Sequence, residues 1–403
     1  MPSWSRPEFA GGPDPSDFDL LQPHPMPTDG TGADPLFPDP LSWPLRPIRN
    51  GLDRLAMNNI KVSITDVLVY QAVSRTINNA APNSIFNRFN VETNILAWDL
   101  PDHGNGIFTA QARVNNNVLN TATPGDAVGA FSPLDDLASN TSFLLNRLEF
   151  QQQFFDKHLN LTIGNANPND VIASNLFAWD ETHQFMSVTF DGGNYPVGYS
   201  GYMPLLALQA IPTDGIYVTG AVTSGIGANY QVFSTLDDGL YWCAGEVGTV
   251  LELGPEKLQG RYSISLMNSN TGLESYNRAT RTSGNAMALV VQQEVVKDWV
   301  VWSQYLLSSE NIGPAEQEFT IGLSIEECFG RKNDGFGIAF GWSKPSERYF
   351  SGWRENVQME AYYRVQLTHS WQLTPDFQIV RPSDPEASGA AAFSFALRLL
   401  TTF

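Results

Sequence analysis

Phe393-Ser-Phe-Ala-Leu-Arg-Leu-Leu-Thr-Thr-Phe403 closes the chain. One alternate register holds Phe393, Phe395, Leu397, Leu399, Thr401 and Phe403; the other holds Ser394, Ala396, Arg398, Leu400 and Thr402. Successive side chains of a β-strand point to opposite faces, so this segment reads as a strand with one aromatic, apolar face and one mostly small or polar face. A soluble domain can bury such a strand, but it seldom stops on one with an aromatic last residue and no polar tail. A membrane barrel does stop this way, because its last strand must complete the sheet and present an assembly signal. The two faces then meet different surroundings, lipid outside and a wet lumen inside.

The same alternation recurs upstream. Phe89, Val91, Thr93 and Ile95 oppose Arg88, Asn90, Glu92 and Asn94. Leu148, Phe150 and Phe154 oppose Arg147, Glu149, Gln151 and Gln153, and after Asp156-Lys157, Leu159, Leu161 and Ile163 oppose Asn160 and Thr162. Phe319 to Ile325 and Phe336 to Trp342 repeat the pattern, and the longest run sets Val357, Met359, Tyr363, Val365 and Leu367 against Gln358, Glu360, Tyr362, Arg364, Gln366 and Thr368. Segments of about ten residues with this period, separated by turn residues, predict an all-β fold, a transmembrane antiparallel barrel of about 16 strands. Met287 to Val296 and Trp299 to Leu307 alternate poorly. A soluble β-sandwich alternates too, but the repeated Arg, Glu, Gln and Asn of the polar face suit a wet lumen. Tyr70, Trp98, Trp179, Tyr241, Trp302, Trp342 and Trp371 fall near segment ends, where interfacial girdles are built.

Composition agrees. Of 403 residues, 16% are charged and 12% aromatic, against roughly 25% charged in an average soluble domain. No apolar run approaches the roughly 20 residues of a transmembrane helix, so a membrane-spanning form must be a closed barrel. The first 46 residues, rich in Pro, Asp and Gly, predict a solvated arm, and 47–403 a single barrel domain. Pro47-Ile-Arg-Asn-Gly-Leu-Asp-Arg-Leu-Ala-Met57 predicts a short helix with Ile48, Leu52 and Leu55 on one face. The residues after Met1 show no basic stretch followed by an apolar one, as an exported chain requires, which points to a gene start set elsewhere. The formal charge of −19 fits acidic loops or a pore that disfavours anions, and it argues against a nucleic-acid partner.

Chemistry is sparse. No Walker-type loop, H-E-x-x-H or C-x-x-C occurs, and His24, His103, His158, His183 and His369 have no ligand spacing. Gly198-Tyr-Ser200-Gly201 lacks the last glycine of a nucleophile elbow. Asp237-Asp238-Gly239 reads as a turn rather than a calcium loop. Cys243 and Cys328 read as two isolated thiols. No enzyme, cofactor or metal is implied.

Several stretches resemble the carbohydrate-selective porin family (OprB-like). Arg147 to Ser174, R-L-E-F-Q-Q-Q-F-F-D-K-H-L-N-L-T-I-G-N-A-N-P-N-D-V-I-A-S, resembles the family's paired strands and its G-x-x-x-P-N-D-x-F-A loop. Leu240 to Gly248 resembles its A-E-x-G strand, and Ala361 to Val380, A-Y-Y-R-V-Q-L-T-H-S-W-Q-L-T-P-D-F-Q-I-V, its Y-Y-R-x-Q-L-T-P-W motif. The helix-then-strand at 47–70 lies where the family enters its barrel. The resemblance spans about 48–403. It implies a sixteen-stranded porin of the outer membrane of a Gram-negative-type bacterium, passing small sugars by diffusion, often as a homotrimer, with sugar and membrane lipid as its partners. Thr368-His369-Ser370-Trp371 departs from the turn of the motif. Thr162 and the Ser303-Gln304 pair stand where relatives often carry arginines, which puts sugar selectivity in question and leaves a general, non-selective pore as an alternative. The inward register supplies the substrate-binding candidates Arg364, Glu360, Tyr362, Gln366, Arg147, Glu149 and Gln151, with Arg88 and Glu92 behind them; charged and amide groups hydrogen-bond sugar hydroxyls while rings stack on the sugar face. A soluble, secreted glycan-binding β-sandwich is the rival from another class, and a β-rich glycoside hydrolase a third reading.

Overall fold

The computed structural model describes residues 35–100, 104–119, 123–138, 143–155, 158–190, 201–228, 230–271 and 282–403. The Pro-rich residues 1–34, the Asp156-Lys157 turn and Gly198–Ser200 lie outside them. A helix, α1 (Arg46–Ala56), precedes β1 (Ile60–Val73), β2 (Asn83–Leu100) and β3 (Gly104–Leu119). A one-turn helix, α2 (Pro124–Val128), leads to β4 (Leu144–Phe154), β5 (Leu159–Ala166), β6 (Met203–Thr213), β7 (Ile216–Thr223) and β8 (Trp242–Leu253). Then follow β9 (Leu258–Ser269), β10 (Gly284–Val296), β11 (Trp299–Ser308), β12 (Ala315–Glu326), β13 (Gly335–Pro345), β14 (Asn356–Gln366), β15 (Trp371–Arg381) and β16 (Ala392–Thr402).

Each strand pairs antiparallel with its neighbours in sequence, and β16 pairs with β1 through Thr65–Thr402, Val69–Arg398 and Val73–Ser394, so the sixteen strands form a closed barrel. Closure removes both free edges and satisfies the backbone within the sheet, as lipid requires. On β16 the two registers separate as the sequence implies: Phe393, Phe395 and Leu397 are exposed on the outside, and Ser394, Ala396 and Arg398 are buried inside. Leu68, Phe89, Leu206, Leu208, Leu266, Ile321, Phe340 and Phe377 extend this apolar surface around the barrel.

Connections at one end are short, as at 214–215 and 297–298, while those at the other include the long 120–143 and 167–202; short turns mark the periplasmic end of such barrels. Gly215 closes one of them at φ +76°, where an added Cβ would lie 2.7 Å from the Val250 carbonyl oxygen, so the turn needs glycine. Tyr70, Trp98 and Tyr241 are exposed as girdle residues should be, but Trp302 faces the lumen and Trp179 lies in a connection, both buried. The outward tryptophan of β11 is Trp299. The two stand three residues apart, on opposite faces of a period-two element.

α1 begins with Pro47 in its first turn, where a missing N–H costs nothing. The segment before it reaches the short turn after β14: Phe37 N–H donates to Leu367 O at 2.9 Å, and Asp39 accepts from Ser370 Oγ at 2.7 Å. Both cysteines are free thiols, Cys243 on β8 and Cys328 in the turn after β12.

The lumen is not an empty tube. Residues 123–138 and 167–190 enter it and pack against the inward register. Val171, Ile172 and Ala173 pack among Leu205, Trp242, Met267, Ala288 and Val290. Phe177, Phe185 and Phe190 meet Trp302 and Tyr362, Leu137 and Met186 meet Val67, Val69, Phe86 and Leu400, and Val128 and Leu134 meet Val73 and Val380. Each large apolar side chain so enclosed contributes on the order of 2 kcal/mol, so the two segments are packed like a core.

Candidate functional site

The inserted segment begins at Asn167-Pro-Asn-Asp170, a single 3₁₀ turn whose cap is Asn167, its side-chain oxygen accepting from Asn169 N–H at 3.1 Å. From there the backbone is gripped by one strand after another. Glu246 of β8 accepts from Ala173 N–H at 2.7 Å, and Gln304 of β11 donates to Ala173 O at 3.2 Å. Arg261 of β9 donates to Ser174 Oγ at 3.0 Å, and Gln292 of β10 donates to Ser174 O at 3.1 Å. Ser324 of β12 donates to Phe177 O at 3.2 Å. Arg364 of β14 donates to His183 O at 3.1 Å, and Arg398 of β16 to Glu181 O and Gln184 O. Glu360 accepts from Met186 N–H at 2.5 Å and Ser187 N–H at 3.0 Å. A loop with no sheet partner of its own must satisfy its buried backbone somewhere. Here the lumen wall does so, and 167–190 becomes an inner belt.

This belt decides where the sequence-derived candidates stand. All nine lie on the inward register, but they fall into two groups of four, with Gln366 apart from both. Arg364, Glu360, Tyr362 and Arg88 are engaged with the belt. Arg364 also pairs with Glu326 at 2.6 Å, Tyr362 meets Phe185 edge-on at 5.0 Å, and Arg88 binds Glu181 and donates to Asp136 O at 2.7 Å. Gln366 is held in the turn after β14, its side chain donating to Thr368 O at 2.6 Å. Arg147, Glu149, Gln151 and Glu92 form a second group, with Arg147 on Glu149 at 2.5 Å, on Asp170 at 3.6 Å and on Glu92 at 4.0 Å; Gln151 donates to Glu149 at 3.3 Å.

The second group adjoins residues that the sequence reading did not pick. Arg88, Arg113 and Arg147 rise across adjacent strands, Arg88 opposite Asn115, Asn90 opposite Arg113, and Gln111 opposite Arg147. Arg113 stands 3.7 Å from Glu181 of the belt, with its guanidinium 5.9 Å from the centre of the Tyr202 ring. The Arg88 and Arg147 side chains are each only 4% exposed, whereas Glu92 keeps 18% and Arg113 and Glu181 13% each. The first two brace the wall; the other three keep edges open to solvent. The alternation Thr109, Gln111, Arg113, Asn115 against Phe108, Ala110, Ala112, Val114 carried the signal for Arg113, and Arg398 stood in the polar register of the last strand. Arg261 likewise stood in the polar register of Gln259, Ser263 and Ser265 against Tyr262, Ile264 and Leu266, whereas nothing in the local pattern marked Glu181 or Tyr202.

Burial pushes the carboxyls of Asp135 and Asp170, both in the inserted segments, up to about 7. The Leu137 N–H and Arg88 oppose this at Asp135, and Arg147 opposes it at Asp170. Among the described residues no group of His, Cys, Asp and Glu is placed to hold a metal ion. The arrangement sets charged hydrogen-bonding groups and an aromatic ring along the inner wall, in a lumen that the inserted segments narrow.

A closed sixteen-stranded barrel with an apolar exterior, a polar interior and an inserted narrowing segment is an outer-membrane porin. The family model for the carbohydrate-selective porin, OprB family, matches residues 107–403, and the chain belongs to that family. It is therefore a transport protein of the bacterial outer membrane, of the carbohydrate-selective class, and not an enzyme. Among solved structures, the high-pH structure of Pseudomonas putida OprB is similar with a TM-score of 0.71 at 14% identity, over 90% of this chain and 97% of that one. The low-pH structure of the same protein gives 0.54 at 13% identity, over the same shares. A Rhodopseudomonas blastica porin variant gives 0.51 at 10% identity, over 85% of this chain and 100% of that one. No curated protein matches the chain.

Proposed function

We propose that sugars cross this porin between the belt and the β2–β4 wall, where Glu92, Arg113, Glu181 and Tyr202 contact them and Arg88, Arg147, Glu149 and Gln151 hold those groups in place. The carrying observation is the solvent-open edge of Arg113, set between a carboxylate and an aromatic ring. Cation and carboxylate hydrogen-bond hydroxyls while the ring accepts the apolar sugar face. Binding stays weak because these charged groups already satisfy one another, and a carrier of this kind must release what it binds. Arg364, Glu360, Tyr362 and Gln366 act on the sugar only through the belt and the turn after β14.

The test is single-channel current through the refolded protein in a planar bilayer, titrated with glucose and a disaccharide. Saturable block is expected. Arg113→Ala should raise the half-blocking concentration about tenfold, the lower end of what one charged hydrogen bond contributes. Unchanged block in Arg113→Ala removes the site. Wild-type steps indifferent to sugar favour the general pore, a reading supported by Thr162 and Gln304, neutral side chains buried in the wall. We also propose assembly as a homotrimer through the β1–β2 outer face, where Asp66 and Asn87, 2.7 Å apart, put a polar pair among Ile64, Leu68 and Phe89. A carboxylate there is better covered by another copy than by acyl chains. Cross-linking that yields no trimer removes that part alone.

A further inference from the structure

We propose that α1 is a membrane anchor, with its apolar face in the lipid boundary of the periplasmic leaflet and its arginines among anionic phospholipid headgroups. Ile48, Leu52 and Leu55 share one side of the helix, while Arg46, Arg49, Asp53 and Arg54 occupy the other. Among the described residues that side is covered only in part: no residue of α1 is buried, Leu52 is half-buried, and Ile48 is 44% and Leu55 39% exposed. Trp43 and Met57, just outside its two ends, are 80% and 76% exposed.

Its position selects lipid as the occupant. Of the sixteen strands α1 packs appreciably only against β1. It is moored at the short-turn rim, where Asp39 takes both Arg49, at 3.2 Å, and Ser370, at 2.7 Å. The same rim carries exposed Trp98 and Leu100 at the end of β2, with Phe155 and Phe329 in short turns, so the helix continues the apolar belt that already meets lipid. Charge points the same way. In a chain of net charge −19, residues 46–61 hold Arg46, Arg49, Arg54 and Lys61 against Asp53 alone. A basic amphipathic helix flanked by Trp binds an anionic interface, and like charge opposes packing α1 on the α1 of another copy.

Spin labels test this in the full chain. In a Cys243→Ser, Cys328→Ser background, single substitutions Ile48→Cys, Asn50→Cys, Leu52→Cys, Asp53→Cys and Leu55→Cys are labelled in bilayers of phosphatidylcholine with phosphatidylglycerol. Heat-shifted gel mobility verifies that each barrel is folded. Labels at 48, 52 and 55 should be open to oxygen and shielded from a water-soluble nickel chelate, with the reverse at 50 and 53. Equal nickel access around the helix overturns the anchor, and oxygen access at 48, 52 and 55 that rises only when the copies are diluted apart reassigns the face to self-association. Arg46→Glu with Arg54→Glu should raise nickel access at 48 and 55; no change removes the headgroup contact.

Discussion

Arg398 shows how a residue's role depends on what lies across the lumen. It is fully buried on β16, between Val69 of β1 and Thr374 of β15, and its guanidinium donates to Glu181 O and Gln184 O of the belt. Two buried carbonyls lose their donor in Arg398→Ala, and each unsatisfied group costs about 1–3 kcal/mol. The barrel's own ladder does not pass through this side chain. Arg398→Ala should therefore keep heat-shifted mobility while its open-channel current becomes noisier, because 181–184 is then left with Arg88, Arg113 and Arg364 on the wall. Arg398→Lys should restore little, since one ammonium does not reproduce the planar fork. A variant as quiet as wild type would show that Glu360 and Arg364 hold the belt without it.

At the scale of elements, aromatic rings lie over glycines on the next strand. Tyr217 pairs with Gly248, Trp302 with Gly322 and Tyr362 with Gly337. A Cβ at Gly322 would come 2.2 Å from Trp302 Cζ2, and one at Gly337 2.3 Å from Tyr362 Cε1. These glycines are needed for room, and the rings they admit carry Phe185 of the belt, 5.5 Å from Trp302. Gly322→Ala should lower the urea midpoint of unfolding in detergent by the equivalent of about 1–3 kcal/mol, the usual cost of overpacking. Gly245→Ala, with nothing within 4 Å of its Cβ, should stay within about 0.5 kcal/mol of wild type; equal losses in both would sink the argument. The sequence shows the small face of Gly337, Ala339 and Gly341 plainly, since a strand's period survives any partner. It does not show why the face is small, because Tyr362 and the belt's Phe185 and Phe190 come from elsewhere in the chain. The strands were legible for the same reason that the belt was not: 167–190 has no period, and its burial is written in Glu246, Arg261, Arg364 and Arg398 on distant strands. The nine candidates were placed on the correct face, yet which of them remain open to a solute depends on the belt.

For the whole molecule, barrel and inserted segments form two layers whose association should depend on pH. Asp135, in the 123–138 segment, is faced by Arg88, Asp136 and Arg398; Asp170, at the start of the belt, is faced by Arg147, Glu149 and Glu92. Burial raises each from an ordinary 3.8 to about 7. A raised carboxyl binds its proton more tightly when docked than when free, so docking is favoured below the ordinary value, weakens as pH climbs from about 4 to 7, and is constant above. The two segments should thus sit most firmly in acid and loosen toward neutrality, because burial outweighs Arg88 at Asp135 and Arg147 at Asp170. Single-channel recordings from pH 4 to 8 should show current noise rising through this window and levelling near 7. Asp135→Asn with Asp170→Asn, which keep an acceptor oxygen and lose the titration, should flatten the rise. Noise that falls with pH, or a double variant that titrates as before, would show that neither Asp135 nor Asp170 carries the response.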